Sequence, residues 1–190
     1  MGGKLHLSPQ EKNMLWENHV STETVFDGKF LKIAVDKVLL PNGKEATREL
    51  VHHPGAVAIL PVLEDGSIVF VKQYRYPLDS VLYEIPAGKL EFNEDPLECA
   101  ARELSEETGY LASKLCKLAT IATTPGFTDE IIHLYLAEGL ELREQHTDDD
   151  EFIEVTVIRQ DNVRKMLLDG TIFDAKTLCA LYMYFLKKEK

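Results

Sequence analysis

The hydrophobic pattern of this 190-residue chain changes its period near residue 95, and that change constrains the fold more than any other feature. From about residue 22 to residue 75, apolar and polar residues alternate between turn signals such as Pro41-Asn42-Gly43 and Asp65-Gly66. This alternation is typical of antiparallel strands joined by hairpins. The first fifty residues are therefore expected to form a small sheet region, followed by a larger domain over 51–190.

Beyond residue 95 the pattern predicts both helices and strands. Strand-like segments cover 115–123, 131–137 and 152–158. Helices are predicted over 96–108, from Asp161 to Gly170, and from Asp174 onward. Strands followed by isolated helices, instead of strict alternation, predict an α+β sandwich around a mixed sheet.

Composition excludes several classes of protein. Thirty-two acidic against twenty-one basic residues give a formal charge of −11, which disfavours binding to nucleic acids or anionic membranes. The longest apolar run, 55–63, is too short to span a bilayer. The three cysteines (Cys99, Cys116 and Cys179) have neither the spacing of a zinc site nor the even number of a disulfide framework. They predict reduced thiols and a cytoplasmic location.

The helix over 96–108 carries the most informative side chains. Asp95 is a good N-cap, Pro96 suits the first turn, and Gly109 suits the left-handed position that ends a helix. The predicted buried stripe is Leu97, Ala100, Ala101, Leu104 and Thr108.

Three glutamates, Glu103, Glu106 and Glu107, lie at i, i+3 and i+4 of this helix, on the side opposite the predicted stripe. A solvated acidic face is one interpretation. The other is a site for Mg²⁺ or Mn²⁺, because clustered carboxylate oxygens are the ligands that hard cations prefer. A preceding Pro86-Ala87-Gly88 turn and an acidic loop place the cluster at a loop–helix junction, where functional sites are common.

Residues 88–110 satisfy every position of the pattern G-x5-E-x7-R-E-U-x-E-E-x-G-U, in which U is a bulky aliphatic or aromatic residue. This stretch resembles the Nudix box, and seven fixed identities in one frame make the match specific. The resemblance implies a Nudix fold, which is an α/β/α sandwich around a mixed sheet. It also implies that Glu103, Glu106, Glu107 and the Ala87 carbonyl bind a divalent metal, while Arg102 and Glu94 orient the ligating carboxylates.

Residues outside the box point to a subfamily. Pro125 follows Gly109 by sixteen residues, as in ADP-ribose pyrophosphatases, although a Pro-Gly pair also forms ordinary turns. Similarity to that subfamily extends over nearly the whole chain beyond about residue 22. It is carried by the segments 40–44, 48–62, 71–75, 83–91, 150–155 and 174–177.

The subfamily resemblance also implies substrate contacts and a homodimer in which the N-terminal strands help to build shared active sites. Phe30 would stack on the nucleobase, Arg48 and Glu49 would lie beside it, and Arg75 would contact phosphate or ribose. Phe30 as a core residue, and Arg48 and Glu49 as an exposed strand pair, are the alternatives. Arg48 stands where some relatives have a second aromatic ring, so a broader range of nucleoside diphosphate sugars is also open.

The expected reaction is hydrolysis of ADP-ribose to AMP and ribose 5-phosphate, with Mg²⁺, or alternatively Mn²⁺, as the cofactor. Glu151 matches a loop glutamate that acts as general base in similar enzymes, and Glu106 is the alternative base. A house-cleaning hydrolase of nucleoside triphosphates is a rival reading, and a non-catalytic sensor of nucleotide sugars is another. The complete set of box carboxylates and the absence of a basic helix-turn-helix segment argue against the sensor.

Overall fold

The computed structural model describes residues 8–145 and 152–188, which divide into two compact units. The N-terminal unit contains the residues up to Pro54 together with Ala122–Glu130. The main unit contains Gly55–Ile121 and the residues from Ile131 onward. Among the helices of the described ranges, none has both the length and the apolar composition needed to cross a bilayer.

The N-terminal unit is a short helix and a three-stranded antiparallel meander. Its elements are α1 (Pro9–Leu15), β1 (Asn18–Asp27), β2 (Lys32–Leu39) and β3 (Glu45–His52), in the sheet order β1-β2-β3. The predicted turn at 41–43 joins β2 to β3, and Gly43 takes a φ of 78°, which glycine adopts at low cost. Neither α1 nor the first four residues of β1 were expected from the pattern, because they show no regular alternation.

Strand β1 is exposed at every position. Its apolar residues Val20, Val25 and Phe26 are all more than half exposed. A strand of a folded domain normally buries one face, so β1 leaves apolar side chains exposed to water, unlike β2, in which Ala34 and Val38 are buried.

Among its described residues, the main unit contains two sheets and three α-helices. The mixed four-stranded sheet has the order β7-β4-β9-β8, and the antiparallel three-stranded sheet has the order β10-β5-β6. The strands are β4 (Ala56–Pro61), β5 (Ile68–Arg75), β6 (Ser80–Glu84), β7 (Ala87–Lys89), β8 (Tyr110–Ala122), β9 (Ile131–Leu142) and β10 (Ile153–Ile158). The helices are α2 (Pro96–Thr108), α3 (Gln160–Leu168) and α4 (Ala175–Lys188). The expected tight turn at 86–88 is wrong for Ala87 and Gly88, which are the first two residues of β7 and pair with β4.

Strand β4 lies at the centre of the main unit and is buried at all six positions. Val57 and Ile59 pack with Ala100 and Leu104 of α2. The alternate residues of β4 pack in a second cluster that includes residues of α3 and α4. Since side chains of a strand alternate between faces, helices cover both faces of the sheet. The predicted α/β/α sandwich is confirmed.

Helix α2 begins and ends where its sequence predicts. The Asp95 carboxylate accepts a hydrogen bond from the Leu97 N–H at 2.8 Å, and Pro96 occupies the first turn. Gly109 has a φ of 72°, and its N–H bonds the Ser105 carbonyl at 2.8 Å. A Cβ at Gly109 would also come within 2.8 Å of the Arg143 carbonyl oxygen. Both ends of the helix are therefore fixed by local chemistry.

The buried side of α2 differs from the prediction at four positions. Leu97 and Ala101 are exposed, whereas Cys99 and Glu107 are buried. The helix is thus rotated relative to the predicted stripe, so that its Glu107 edge faces the protein. A carboxylate can take this place only with hydrogen-bond partners, which β7 supplies.

Candidate active site

The three box glutamates leave α2 in environments of different burial. Glu107 is 3% exposed, whereas the side chain of Glu106 is 42% exposed and that of Glu103 is 13% exposed. The prediction that all three lie opposite the buried stripe is therefore wrong for Glu107. The cluster extends from the interior of the unit to its surface.

Strand β7 holds Glu107 in place. The Glu107 Oε2 accepts a hydrogen bond from the Ala87 N–H at 3.0 Å. This bond joins α2 to the residue whose carbonyl was predicted to bind metal, so two of the four predicted metal ligands are in direct contact. This bond gives the buried carboxylate a hydrogen-bond donor, which a buried polar group needs.

Gly88 makes room for the second carboxylate. A Cβ placed on Gly88 would overlap the carboxylate group of Glu103. A side chain at residue 88 would therefore displace the Glu103 carboxylate, although the backbone itself would accept one, since the φ of Gly88 is outside the left-handed region. The box glycine and the box glutamate are one steric unit, and together they bring Glu103 beside the β7 backbone.

Arg102 links the remaining carboxylates. Its Nε and Nη2 donate to the two oxygens of Glu94 at 2.9 and 3.0 Å. Its Nη1 donates to Glu103 Oε1 at 2.8 Å and to Glu106 Oε2 at 2.9 Å. The two-bond contact fixes the guanidinium plane against the loop, and the shared Nη1 fixes Glu103 and Glu106 relative to each other.

The same contacts change the ionisation of the cluster. Hydrogen bonds donated by Arg102 lower the pKa of Glu94 to about 2, and the same bonds, accepted by Glu94, raise the pKa of Arg102 above its usual range. Glu94, Glu103 and Glu106 share one guanidinium, so carboxylates outnumber the cation that bonds them. An anionic substrate brought to this surface alone would be repelled.

The donor set fits a hard divalent cation. Carboxylate and carbonyl oxygens are the ligands of Mg²⁺ and Mn²⁺, and the four predicted ligands are joined through Arg102 or the Ala87–Glu107 bond. The Glu106 Oε1 has no hydrogen-bond partner among the residues that the structure describes. Within those residues, His, Cys, Asp and Glu side chains do not form a group of three already arranged around a metal.

Arg75, the predicted phosphate contact, lies at the end of β5 and is held by Glu84 of β6. Its Nε and Nη2 donate to the two carboxylate oxygens, each at 2.7 Å. The Glu84 side chain is only 2% exposed, whereas that of Arg75 is 39% exposed. Burial opposes ionisation of Glu84, but the bonds from Arg75 and Lys176 outweigh it and lower its pKa. Sequence reasoning missed Glu84 and Lys176, which lie within matching subfamily segments.

The residues predicted to contact the nucleobase lie in the N-terminal unit. Phe30 occupies the turn between β1 and β2 and is 51% exposed, so the alternative of a core residue is wrong. Its ring meets that of His53 edge-on, at 6.5 Å between centroids. Arg48 and Glu49 are consecutive residues of β3, whose side chains leave opposite faces of the sheet.

Arg48 already has a partner that sequence reasoning did not find. Its Nε and Nη2 donate to the two oxygens of Glu17 at 2.9 and 2.5 Å. Glu17 stands 31 residues earlier, and no local pattern predicts this pair. The contact fixes the plane of the guanidinium group.

The loop that contains Pro125 is anchored to the end of β3 within the N-terminal unit. The Val51 N–H donates to the Phe127 carbonyl at 2.8 Å, and His52 Nδ1 lies 2.7 Å from Asp129 Oδ2. The His53 N–H donates to Asp129 Oδ1 at 2.8 Å. Although burial opposes it, these bonds hold the pKa of Asp129 below its usual range. Glu151, the predicted general base, lies outside the described residues.

Comparison with known proteins identifies the family. Residues 52–181 match the model of the NUDIX domain, and residues 18–51 match that of the nucleoside diphosphate sugar hydrolase N-terminal domain. The chain belongs to the Nudix family. With its full set of box carboxylates it is a Nudix pyrophosphatase, an enzyme of a family that generally depends on a divalent metal, typically Mg²⁺.

Relatives of this Nudix enzyme cover almost its whole length. An ADP-ribose pyrophosphatase from Bacillus subtilis (strain 168) is 47% identical over 176 residues, 92% of this chain and 95% of that protein. A methanol dehydrogenase activator from Bacillus methanolicus is 46% identical over 167 residues, 87% of this chain and 90% of that protein. The crystal structure of an ADP compounds hydrolase has a TM-score of 0.80 at 21% identity, covering 91% of this chain and 95% of that one. It shows the same fold.

Proposed function

We propose that this Nudix enzyme hydrolyses the diphosphate bond of nucleoside diphosphate sugars, and of ADP-ribose above all, to AMP and ribose 5-phosphate. The carboxylate cluster that α2 presents to β7 carries the proposal. The match of residues 18–51 to a nucleoside diphosphate sugar hydrolase domain and the 47% identity to an ADP-ribose pyrophosphatase support this substrate class.

The proposed cofactor is Mg²⁺, with Mn²⁺ as an alternative, held by Glu103, Glu106, Glu107 and the Ala87 carbonyl. When bound, such an ion neutralises phosphate oxygens and lowers the pKa of a water molecule. Arg102 and Glu94 set the directions of the ligating carboxylates through the hydrogen bonds described above. Arg75 binds a phosphate oxygen with the guanidinium edge that Glu84 does not occupy.

Recognition of the nucleoside is proposed for the N-terminal unit. The exposed ring of Phe30 stacks on the base, and the planar guanidinium of Arg48, held by Glu17, lies beside it. Glu49, whose side chain leaves the opposite face of β3, is a separate candidate for a contact to the nucleoside. Stacking accepts any base, so substrates other than ADP-ribose, such as ADP-glucose and GDP-mannose, are the main alternative range.

Glu151 is the proposed general base, and Glu106 is the alternative. If Glu151 removes the proton from the attacking water, Glu151→Gln lowers kcat by about 10²–10⁴-fold at saturating Mg²⁺ and abolishes the acid limb of the pH–rate profile. Asp149→Asn, a change of the same kind in the same acidic stretch of sequence, is the matched control and is expected to keep its turnover. Full turnover of Glu151→Gln would assign the proton transfer to Glu106.

The N-terminal strand region is proposed to form a homodimer. Its sheet exposes apolar residues on β1, and a second copy of the chain would cover them. Light scattering is expected to give twice the chain mass of 21.5 kDa. Val25→Glu should produce monomers, whereas Lys44→Glu at the tip of the exposed β2–β3 turn should not.

Sharing of active sites between subunits has its own test. In mixed dimers of Glu106→Gln and Phe30→Ala chains, one of the two sites has both residues intact if each site takes Phe30 from the partner. At ADP-ribose concentrations well below KM, a rate per chain above that of either variant alone is expected after mixing. If each site is complete within one chain, mixing restores nothing.

A substrate panel tests the reaction itself. ADP-ribose, ADP-glucose, GDP-mannose, a nucleoside triphosphate and diadenosine polyphosphates are incubated with Mg²⁺ or Mn²⁺ in ¹⁸O water, and the products are identified. ADP-ribose is expected to give AMP and ribose 5-phosphate at the highest kcat/KM. Preference for the triphosphate would favour a house-cleaning hydrolase, and tight binding without product would favour a sensor.

Activation of a dehydrogenase is a second candidate, because the methanol dehydrogenase activator is almost as similar as the ADP-ribose pyrophosphatase. The test adds the protein to a methanol dehydrogenase and measures its rate. Activation by the wild-type chain but not by Glu106→Gln would connect this role to the hydrolytic site. If the rate of the dehydrogenase does not change, hydrolysis is the one function that remains proposed.

A further inference from the structure

The first turn of α4 is built around Asp174, 86 residues beyond the box glycine in sequence. The Asp174 Oδ2 accepts from the Thr177 N–H at 3.0 Å and from the Thr177 Oγ1 at 2.5 Å. The Asp174 carbonyl accepts from the Leu178 N–H at 2.9 Å. These bonds cap the helix and fix the direction of the side chains in its first turn.

Two side chains of this turn contact the end of β6. Lys176 Nζ lies 3.1 Å from Asp174 Oδ2 and also bonds Glu84 Oε2, and its side chain is 12% exposed. Thr177 is fully buried, and its Oγ1 accepts from the Ile85 N–H at 3.0 Å. The helix therefore holds two consecutive residues, Glu84 and Ile85, immediately before the Pro86-Ala87 segment.

Glu84, held by α4, in turn orients the side chain of Arg75. Both of its oxygens bond the Nε and Nη2 of Arg75, so the guanidinium plane follows the plane of the carboxylate. The Nη1 has no partner among the described residues, and more than a third of the side chain is exposed. One edge of Arg75 is thus fixed in the interior, and the other is open to an anion.

The charge of Lys176 is also expected to favour substrate binding by Arg75, as its contacts do. Lys176 is a second cation on the same buried carboxylate, and it takes part of the Glu84 charge that Arg75 would otherwise neutralise alone. Without Lys176, Glu84 would be oriented by Arg75 only, and Arg75 would present a weaker potential to a diphosphate. Both effects predict poorer substrate binding.

We propose that Lys176 is a positioning residue of the active site, which acts on the substrate through Glu84 and Arg75. The inference rests on the proposed binding of a phosphate oxygen by Arg75. It extends the site to the first turn of α4, which neither the box nor the N-terminal strands include.

A double-mutant cycle tests this role, with Lys176→Met, Arg75→Gln and the combination of both. Lys176→Met is expected to raise KM for ADP-ribose about tenfold with kcat within about twofold of the wild type, because Arg75 binds ground state and transition state alike. In the Arg75→Gln background, Lys176→Met should change KM by less than about twofold. Lys114→Met, which removes a lysine of the exposed Lys114–Glu138 pair, is the matched control and should change neither constant.

The conservative variant separates positioning from general damage. Lys176→Arg keeps a cation beside Glu84 and is expected to recover most of the lost affinity, whereas a loss of packing would not be recovered by a larger side chain. The midpoint of thermal unfolding is measured for every variant. If Lys176→Met does not fold, Lys176→Gln, which retains a donor toward Glu84, replaces it in the cycle.

The outcomes distinguish this inference from the proposed function. If Lys176→Met lowers kcat instead of affinity, or changes KM equally with and without Arg75, Lys176 does not act through Arg75 and the inference is wrong. Those results leave ADP-ribose hydrolysis intact. If the wild-type protein does not hydrolyse ADP-ribose or another sugar nucleotide, the proposed function fails, and this inference fails with it.

Discussion

Strands β4 and β1 show opposite ways of using a β-strand within one chain. Every residue of β4 is buried, with α2 on one face of its sheet and α4 on the other. Every residue of β1 is exposed, although the strand contains valines and a phenylalanine. The main unit is complete as a folded core, whereas the N-terminal sheet has surface that a further chain could cover. Catalysis is therefore expected to depend on the main unit, and association and recognition of the nucleobase on the N-terminal unit.

The largest effect is expected for a metal ligand in the main unit. Glu106→Gln should lower kcat by on the order of 10²–10³-fold, because it removes one carboxylate charge from the cation site. The oligomeric state in light scattering should not change. Glu98→Gln, an exposed substitution in the first turn of the same helix, is the control. A Glu106→Gln variant that stayed active but became monomeric would show that this residue of the main unit serves association and not catalysis.

Shortening one apolar side chain in β4 and one in β1 compares the contributions of the two strands to stability. Leu60→Ala should lower the free energy of unfolding by about 2–5 kcal/mol, because Leu60 is fully buried in the core. Val25→Ala in dilute protein should change it by about 0.5 kcal/mol or less. Urea unfolding at several protein concentrations measures both. If Val25→Ala costs more as the concentration rises, β1 is covered by a second copy.

Loss of the proposed contact between Phe30 and the nucleobase should weaken substrate binding and leave kcat unchanged. Phe30→Ala is expected to raise KM for ADP-ribose about tenfold, since a lost stacking contact is worth about 1–3 kcal/mol. Phe30→Trp should retain affinity, and kcat should stay near that of the wild type in both variants. Tyr182→Ala, which removes an equally exposed aromatic ring from α4, serves as control. An unchanged KM for Phe30→Ala would remove Phe30 from the site.

Acid should weaken the Arg102 cluster gradually. Because the pKa of Glu94 is lowered to about 2 from an ordinary value of 4.5, its ionised form stabilises the folded protein. This stabilisation is fully present above the ordinary value and is lost as the pH falls toward 2. The difference in unfolding free energy between wild type and Glu94→Gln, measured in EDTA, should therefore shrink below about pH 4.5. A difference that does not vary with pH would contradict the pairing.

The sequence predicted what local chemistry determines. The bounds of α2 follow from Asp95, Pro96 and Gly109, and the turn before β3 follows from its glycine. The rest depends on residues distant in sequence. Glu107 is buried because Ala87, twenty residues earlier, donates to it, and no helical periodicity reports such a bond. Lys176 and Glu84 are 92 residues apart, so only tertiary structure joins them.

Strand β1 was only partly predicted for a different physical reason. Alternation of apolar and polar residues marks a strand only when one face is buried, and β1 buries neither. The general-base role of Glu151, the homodimer and the cytoplasmic location stay predictions.

The contact between Gly88 and Glu103 limits how this enzyme can be varied. Because one added carbon at residue 88 would displace the Glu103 carboxylate from its place beside β7, a library of all amino acids at this position should return mainly glycine after selection for turnover. Escape would need a second change, such as Glu103→Asp, that withdraws the acid by one methylene. The two positions are therefore a linked pair, and engineering of substrate range is better directed at Arg48 and its surroundings.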